Sequence, residues 1–201
     1  MVNEWADFLN PDVVRTRFVR AGLFLVAHEM LISSIKDRLH DFFSDTWSAE
    51  DGWKTTIKYR EKVLSLDPKK KNDPLRASVA WLRHIGAIDD ADEKAIQKLT
   101  NERNLLAHEL RKVLGGSHRH DFESLFPQLT ALVVKIDKWW VINLEIATDP
   151  DVMNADIDLN GVVPGSQMLL QVLAEVALGQ DDKAWELYKE IIEQHGSVKA
   201  R

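Results

Sequence analysis

The sequence predicts an all-α protein: an up-and-down bundle of four or five helices, with a further helical pair at its C-terminal end. Three observations predict it. Apolar residues recur at alternating steps of three and four along most of the chain, the period of helices with one buried face. Proline and glycine fall near the ends of those stretches. No strand-like alternation of any length and no internal repeat interrupts them.

The elements follow in order. Asn10-Pro11 sets a capping side chain before a proline at the first helical position. From there Val14, Phe18, Ala21, Leu25, His28, Ile32, Ile35, Leu39 and Phe42 form one seam, which predicts a long helix over about 12–43. A break follows at 44–52, then a short helix near 56–66 and a Pro-Lys-rich loop. Asp73-Pro74 repeats the start signal, and Gly86 closes a helix carrying Leu75, Val79, Leu82 and Ile85. Asp90 with Glu93 reads as a capping box opening a helix that runs to Gly115-Gly116. The next begins near Ser124, with Pro127 in its first turn. An acidic linker over 149–165 leads to the final pair. One helix covers about 166–178, capped by Ser166 and ended by Gly179; the other covers about 182–195, ended by Gly196.

The organisation is therefore a bundle over 1–148 with a basic insertion at 44–72, and a linker plus helical pair over 149–201 packing on the same domain. With 201 residues the chain has room for a real core. It contains no Cys, which excludes disulfides, thiolate metal sites, Fe–S clusters and Cys nucleophiles, and a reducing cytoplasmic compartment is expected. The N-terminal residues are acidic and lack the apolar core of a signal peptide. The most apolar stretches, Leu23–Ile32 and Leu129–Leu144, are too short or too polar to span a bilayer, so no membrane partner is expected. A formal net charge of −6 argues against a general nucleic-acid coat, though a local basic patch can override it.

Chemistry concentrates in Leu99-Thr-Asn-Glu-Arg-Asn-Leu-Leu-Ala-His-Glu-Leu110. Asn104 and His108 stand roughly 40° apart on one helix face. The apolar stripe comprises Ile96, Leu99, Leu106, Leu110, Val113 and Leu114, and Arg103 falls inside it. A guanidinium there needs an anionic partner or an opening to solvent. Either a carboxylate elsewhere in the bundle satisfies Arg103, or the helix face opens into a cleft where it meets solvent and ligand. In the second case Arg103 binds phosphate beside an imidazole, a group that titrates near neutral pH.

Arg103-Asn104-x3-His108 on a late bundle helix resembles the HEPN superfamily, whose signature is Arg, a polar residue, then His after four to six residues. The flanking Glu-Arg-Asn-Leu-Leu-Ala-His-Glu is similar to its abortive-infection and toxin branches. The resemblance is strong over about 91–116, loose over 12–148, and does not extend to 149–201. It implies RNA cleavage with no metal or other cofactor: the 2′-hydroxyl attacks the adjacent phosphorus, leaving a cyclic phosphate and a free 5′-hydroxyl. His108 would move the proton, Arg103 would stabilise the phosphorane, and Asn104 would orient either. It further implies a homodimer in which two motif helices share a cleft, an RNA substrate, and a possible antitoxin partner.

Rival patterns are weaker. A second Arg-to-His spacing, Arg111 to His118, is broken by Gly115-Gly116, and neither His28-Glu29 nor His108-Glu109 has the second His of a zincin. His118 and His120 fall in a polar loop, and the reading with no metal is preferred. His28 reads as a hydrogen-bonded core residue. Asp156-x-Asp158-x-Asn160-Gly161 copies the start of a calcium loop but ends on Gln167 rather than Glu, and reads better as an Asx-rich turn. Lys54, Lys58, Arg60, Lys62, Lys69, Lys70 and Lys71 could steer RNA or form a solvated loop. Trp139-Trp140 suits core and dimer packing. The alternative function is a non-catalytic helical module binding nucleotide, RNA or a protein through the same surface.

Overall fold

The computed structural model describes residues 9–50, 52–115, 121–152 and 157–179. The predicted helix over 182–195, together with His118, His120 and Asp156, lies outside them.

Helix α1 (Pro11–Ile32) starts as expected, with the Asn10 side chain accepting the Asp12 and Val13 N–H groups. It runs on through a π turn (Ser33–Asp37) into α2 (Arg38–Phe42), so the long helix forms with a wider turn inside it. Ser34, buried in that turn, donates to Asp137 at 2.6 Å and accepts the Trp140 indole N–H through its carbonyl at 2.9 Å. The seam holds at Ala21, His28, Ile35 and Leu39, but Phe24, Ala27 and Leu31 are buried beside it, while Phe18 and Phe42 at its ends are exposed. A helix of 3.6 residues per turn drifts off a seven-residue repeat.

At 44–55 the expectation of no strand fails. A hairpin of β1 (Ser44–Ser48) and β2 (Gly52–Thr55) pairs antiparallel, Trp47 opposite Trp53, with an irregularity between Ser44 and Thr46. Strands this short, with β1 largely exposed, leave no alternation to read. Helix α3 (Ile57–Lys62) and a 3-10 turn (Leu64–Leu66) match the predicted short helix.

The loop that follows is built around Asp67, which is buried. Its carboxylate accepts the N–H groups of Lys69, Lys71 and Asp73 and two N–H donors of Arg76, all at 3.0–3.1 Å. The Arg76 guanidinium foremost, and then those backbone donors, hold the Asp67 carboxyl far below the usual range despite its burial.

Helix α4 (Pro74–His84) is capped by Asp73, and Gly86 closes its end at φ 77°, a conformation that suits glycine. Helix α5 (Asp90–Leu114) has its capping box one residue earlier than expected, on Asp89 and Asp92. Asp90 and Glu93 instead pair with Arg83 of α4. The α5 backbone leaves helical geometry at Glu109 (φ −113°, ψ 17°), so the expected uninterrupted helix is kinked there. Helix α6 (Phe122–Trp140) begins two residues before Ser124, which moves Pro127 out of the first turn, and it continues into a π turn (Val141–Ile146). Helix α7 (Gly165–Leu178) ends at Gly179 as predicted, but Pro164 occupies the cap position and the buried Ser166 hydroxyl makes no hydrogen bond.

Directions follow from the cross-links. Arg20 meets Glu123, Ser34 meets Asp137 and Arg38 meets Glu145, so α1–α2 and α6 run parallel. Arg17 bonds the Leu114 carbonyl while His28 meets Thr100, so α5 is antiparallel to α1. Lys135 bridges Asp89 and Asp92, placing α5 antiparallel to α6 as well. Up, down and up, these helices enclose Phe24, Leu31, Leu99, Leu106, Leu129, Val133 and Ile136, and α7 lies across α1 and α6. By length and composition alone, Pro11–Phe42 and Leu159–Leu178 are each apolar enough to cross a bilayer, contrary to the sequence reading; 44% of the first window is buried and 11% of the second.

Candidate functional site

Leu99 and Leu106 anchor the middle of α5 in the core, and their spacing carries Arg103 to the seam between α5 and α1. The Arg103 side chain is 37% exposed. Its Nη2 donates to Glu29 Oε1 at 2.9 Å and its Nη1 to Asn104 Oδ1 at 3.3 Å. Its Nε is buried and has no partner. Both sequence alternatives are therefore met in part: a carboxylate from α1 satisfies the guanidinium, and one side of it still faces solvent.

Asn104 and His108 are exposed, and His108 makes no hydrogen bond or ion pair among the described residues. Arg103, Asn104 and His108 all precede the kink at Glu109, so they share one regular helical segment. The structure brings Arg103 and Asn104 into contact and sets His108 about one turn beyond Asn104.

Beneath this surface His28 is buried, with Nε2 at 3.3 Å from Thr100 Oγ1 and Nδ1 without a partner. Burial first, and then the positive charge of Arg103, push its pKa below the ordinary imidazole value, against a smaller opposing effect of Glu29. The core assignment of His28 holds for one ring nitrogen. Glu29 is the residue that sequence reasoning missed. Its signal was the demand for an anion at Arg103, but a helical wheel gives a face and not the neighbour across it.

The predicted RNA-binding residues divide among different openings and the open surface. Lys58 and Lys62 line an open cavity of about 860 Å³ with Phe42, Phe43, Trp81 and His84. Lys69 lines a separate cleft of about 540 Å³ between α4 and α5. Lys54, Arg60, Lys70 and Lys71 are exposed and line neither. The expected opening at Arg103 is not reached by either: the α4–α5 cleft stops at Thr100, one turn short.

The remaining patterns resolve simply. Asp158 accepts the Asn160 N–H at the start of a 3-10 turn (Leu159–Gly161), as an Asx-rich turn requires, and the Asn160 carbonyl accepts from Lys138 of α6. No group of three His, Asp or Glu side chains is placed to hold a metal ion among the described residues. Trp140 is buried in an aromatic cluster with Phe42, Trp81 and Trp139, in line with the core reading. Set against family models, curated proteins and solved structures, the chain has no significant match to any of them.

Proposed function

We propose that this protein is a metal-independent endoribonuclease of the HEPN type, acting as a toxin or phage-defence effector. The observation that supports it is the half-exposed Arg103 guanidinium, steadied by Glu29 and Asn104 with one side open to solvent, and the exposed His108 imidazole on the same regular segment. A planar cation with spare donors suits a phosphodiester whose negative charge grows in the transition state. In the step proposed, the 2′-oxygen bonds to phosphorus as its proton passes to a base. The P–O5′ bond breaks, and the 5′-oxygen takes a proton from the acid. His108 serves one of these transfers, and its counterpart from a second copy serves the other.

A second copy is supported by the surface beside the site. Phe18 and Val26 are exposed on α1, with Gly22 between them at helical spacing, and Glu29 follows one turn later. This apolar ridge abuts the Glu29–Arg103 pair and suits a twofold contact.

One observation favours the non-catalytic module instead: the Glu29–Arg103 pair forms within a single subunit and already supplies the anion that Arg103 requires. Purified protein incubated with RNA in chelator separates the readings. Cleavage with cyclic-phosphate ends, lost in His108→Ala and in Arg103→Ala, is the expected result. Full activity in His108→Ala overturns the assignment of that residue, and absence of cleavage on every RNA tried leaves the binding module.

A further inference from the structure

The cleft between α4 and α5 has a make-up that the motif does not explain. Its floor is apolar, from Leu75, Val79 and Ile96, and its rim carries four cations, Lys69, Arg76, Arg83 and Lys94. Two of these are neutralised: Arg76 by Asp67 and Asp73, and Arg83 by Asp90 and Glu93. The four carboxylates balance the four cations in formal charge, but all four are engaged by the two arginines; Lys69 and Lys94 have no ion pair among the described residues, so two ammonium groups remain to meet an anion. Lys69 is held there by design of the loop, since its own N–H is bonded to the buried Asp67 carboxylate. At about 540 Å³ the cleft is within the range of pockets that enclose small ligands.

Its position adds the decisive constraint. Lys94, Gln97 and Thr100 line it from α5 and follow each other at steps of three. Residues at that spacing form one continuous ridge on a helix, and the next member of the ridge is Arg103. Lys94 therefore stands about 14 Å from Arg103 along the helix axis, with an amide and a hydroxyl between them.

We propose that this cleft is the backbone-binding subsite for the RNA strand, holding a phosphodiester on Lys69 and Lys94 upstream or downstream of the scissile bond. The inference rests on the ribonuclease reading for the identity of the strand. A neighbouring nucleotide lies over the apolar floor, the Gln97 amide and the Thr100 hydroxyl reach sugar or phosphate oxygens, and the strand continues along the ridge to Arg103. Fixing the strand between two and three turns away gives the motif orientation as well as affinity, since phosphate contacts set register.

The test uses the full chain and a short fluorescein-labelled 2′-O-methyl oligouridylate, which lacks the attacking hydroxyl and so reports binding apart from cleavage. The double variant Lys69→Glu/Lys94→Glu is expected to bind about tenfold more weakly or worse at low salt. Its plot of log affinity against log salt should be shallower by about 0.7, the value for one lost phosphate contact on a single strand. Arg15→Glu/Lys36→Glu, which makes the same change in net charge away from the cleft, should bind like the wild type, and circular dichroism should show both variants folded. Uridine monophosphate should compete only weakly if the cleft reads a strand; full competition assigns it to a mononucleotide and overturns the strand proposal. Equal losses in the two double variants, or an unchanged salt slope in Lys69→Glu/Lys94→Glu, overturn the cleft. Cleavage with an unaffected cleft variant refutes this subsite alone, whereas a lost salt slope in a protein that cleaves nothing refutes the nuclease and keeps the subsite.

Discussion

An arginine inside a stripe of leucines, as Arg103 is, demands a partner, and the chain supplies Glu29. Because both side chains are substantially exposed, this pair contributes little to stability, about 0.2–1 kcal/mol. Glu29 also occupies a donor that a phosphate would use and repels that phosphate. Glu29→Gln is thus expected to bind the uncleavable oligonucleotide about two- to tenfold more tightly while changing stability within that range. Weaker binding, or a loss of several kcal/mol in urea titration, would make the pair a purely structural clamp. His28 gives a second expectation. Its folded-state pKa is depressed, so in acid the unfolded chain binds a proton that the native state refuses. Stability should fall as pH drops below about 6.5 and level off below the folded pKa. His28→Gln should lack this slope in urea melts between about pH 7 and pH 5; an identical slope would place the titration elsewhere.

Among the elements, the starts of helices were the most readable and the loops the least. Asn10 and Asp73 cap where the sequence places them, because an Asx side chain followed by proline admits little else. The capping box forms on Asp89, one residue before the position expected from sequence, since Asp89-Asp90 offers two acids in the correct register and only packing against Arg83 decides between them. The hairpin at 44–55 was invisible because its strands are four and five residues long. In sequence the stretch after α3 suits an RNA-steering patch or a solvated loop, yet the buried Asp67 ties it down through five donors. One acid fixing two lysine-bearing positions, an aspartate and an arginine cannot be inferred from charge order. Asp67→Asn should therefore loosen the loop, expose 67–73 to proteolysis and weaken oligonucleotide binding through Lys69. Its acid sensitivity should change as well. Asp67 has a depressed native pKa, so its stabilisation is present above the ordinary carboxylate range and disappears as pH falls below about 4. The variant should show a flatter stability profile there, and a profile parallel to the wild type would remove Asp67 from this role.

The assembly of the chain makes its own prediction. The exposed ridge of Phe18, Gly22 and Val26 lies against the Glu29–Arg103 pair, so subunit pairing and activity should fail together. Phe18→Glu with Val26→Glu is expected to give a monomer in light scattering, with cleavage reduced at least as far as in His108→Ala. A monomeric wild type that still cleaves RNA would separate the two. The parallel pairing of α1 with α6 has a temporal consequence. Ser34 waits for Asp137, a partner 103 residues later, and at ordinary rates of synthesis that interval is about 5–20 s. Throughout it the nascent chain carries Phe24, Leu31 and Ile35 without the cover that α6 gives them, a natural landing place for a holdase on the ribosome. Nothing resembling the finished Arg103 surface can exist until α5 has emerged to meet Glu29.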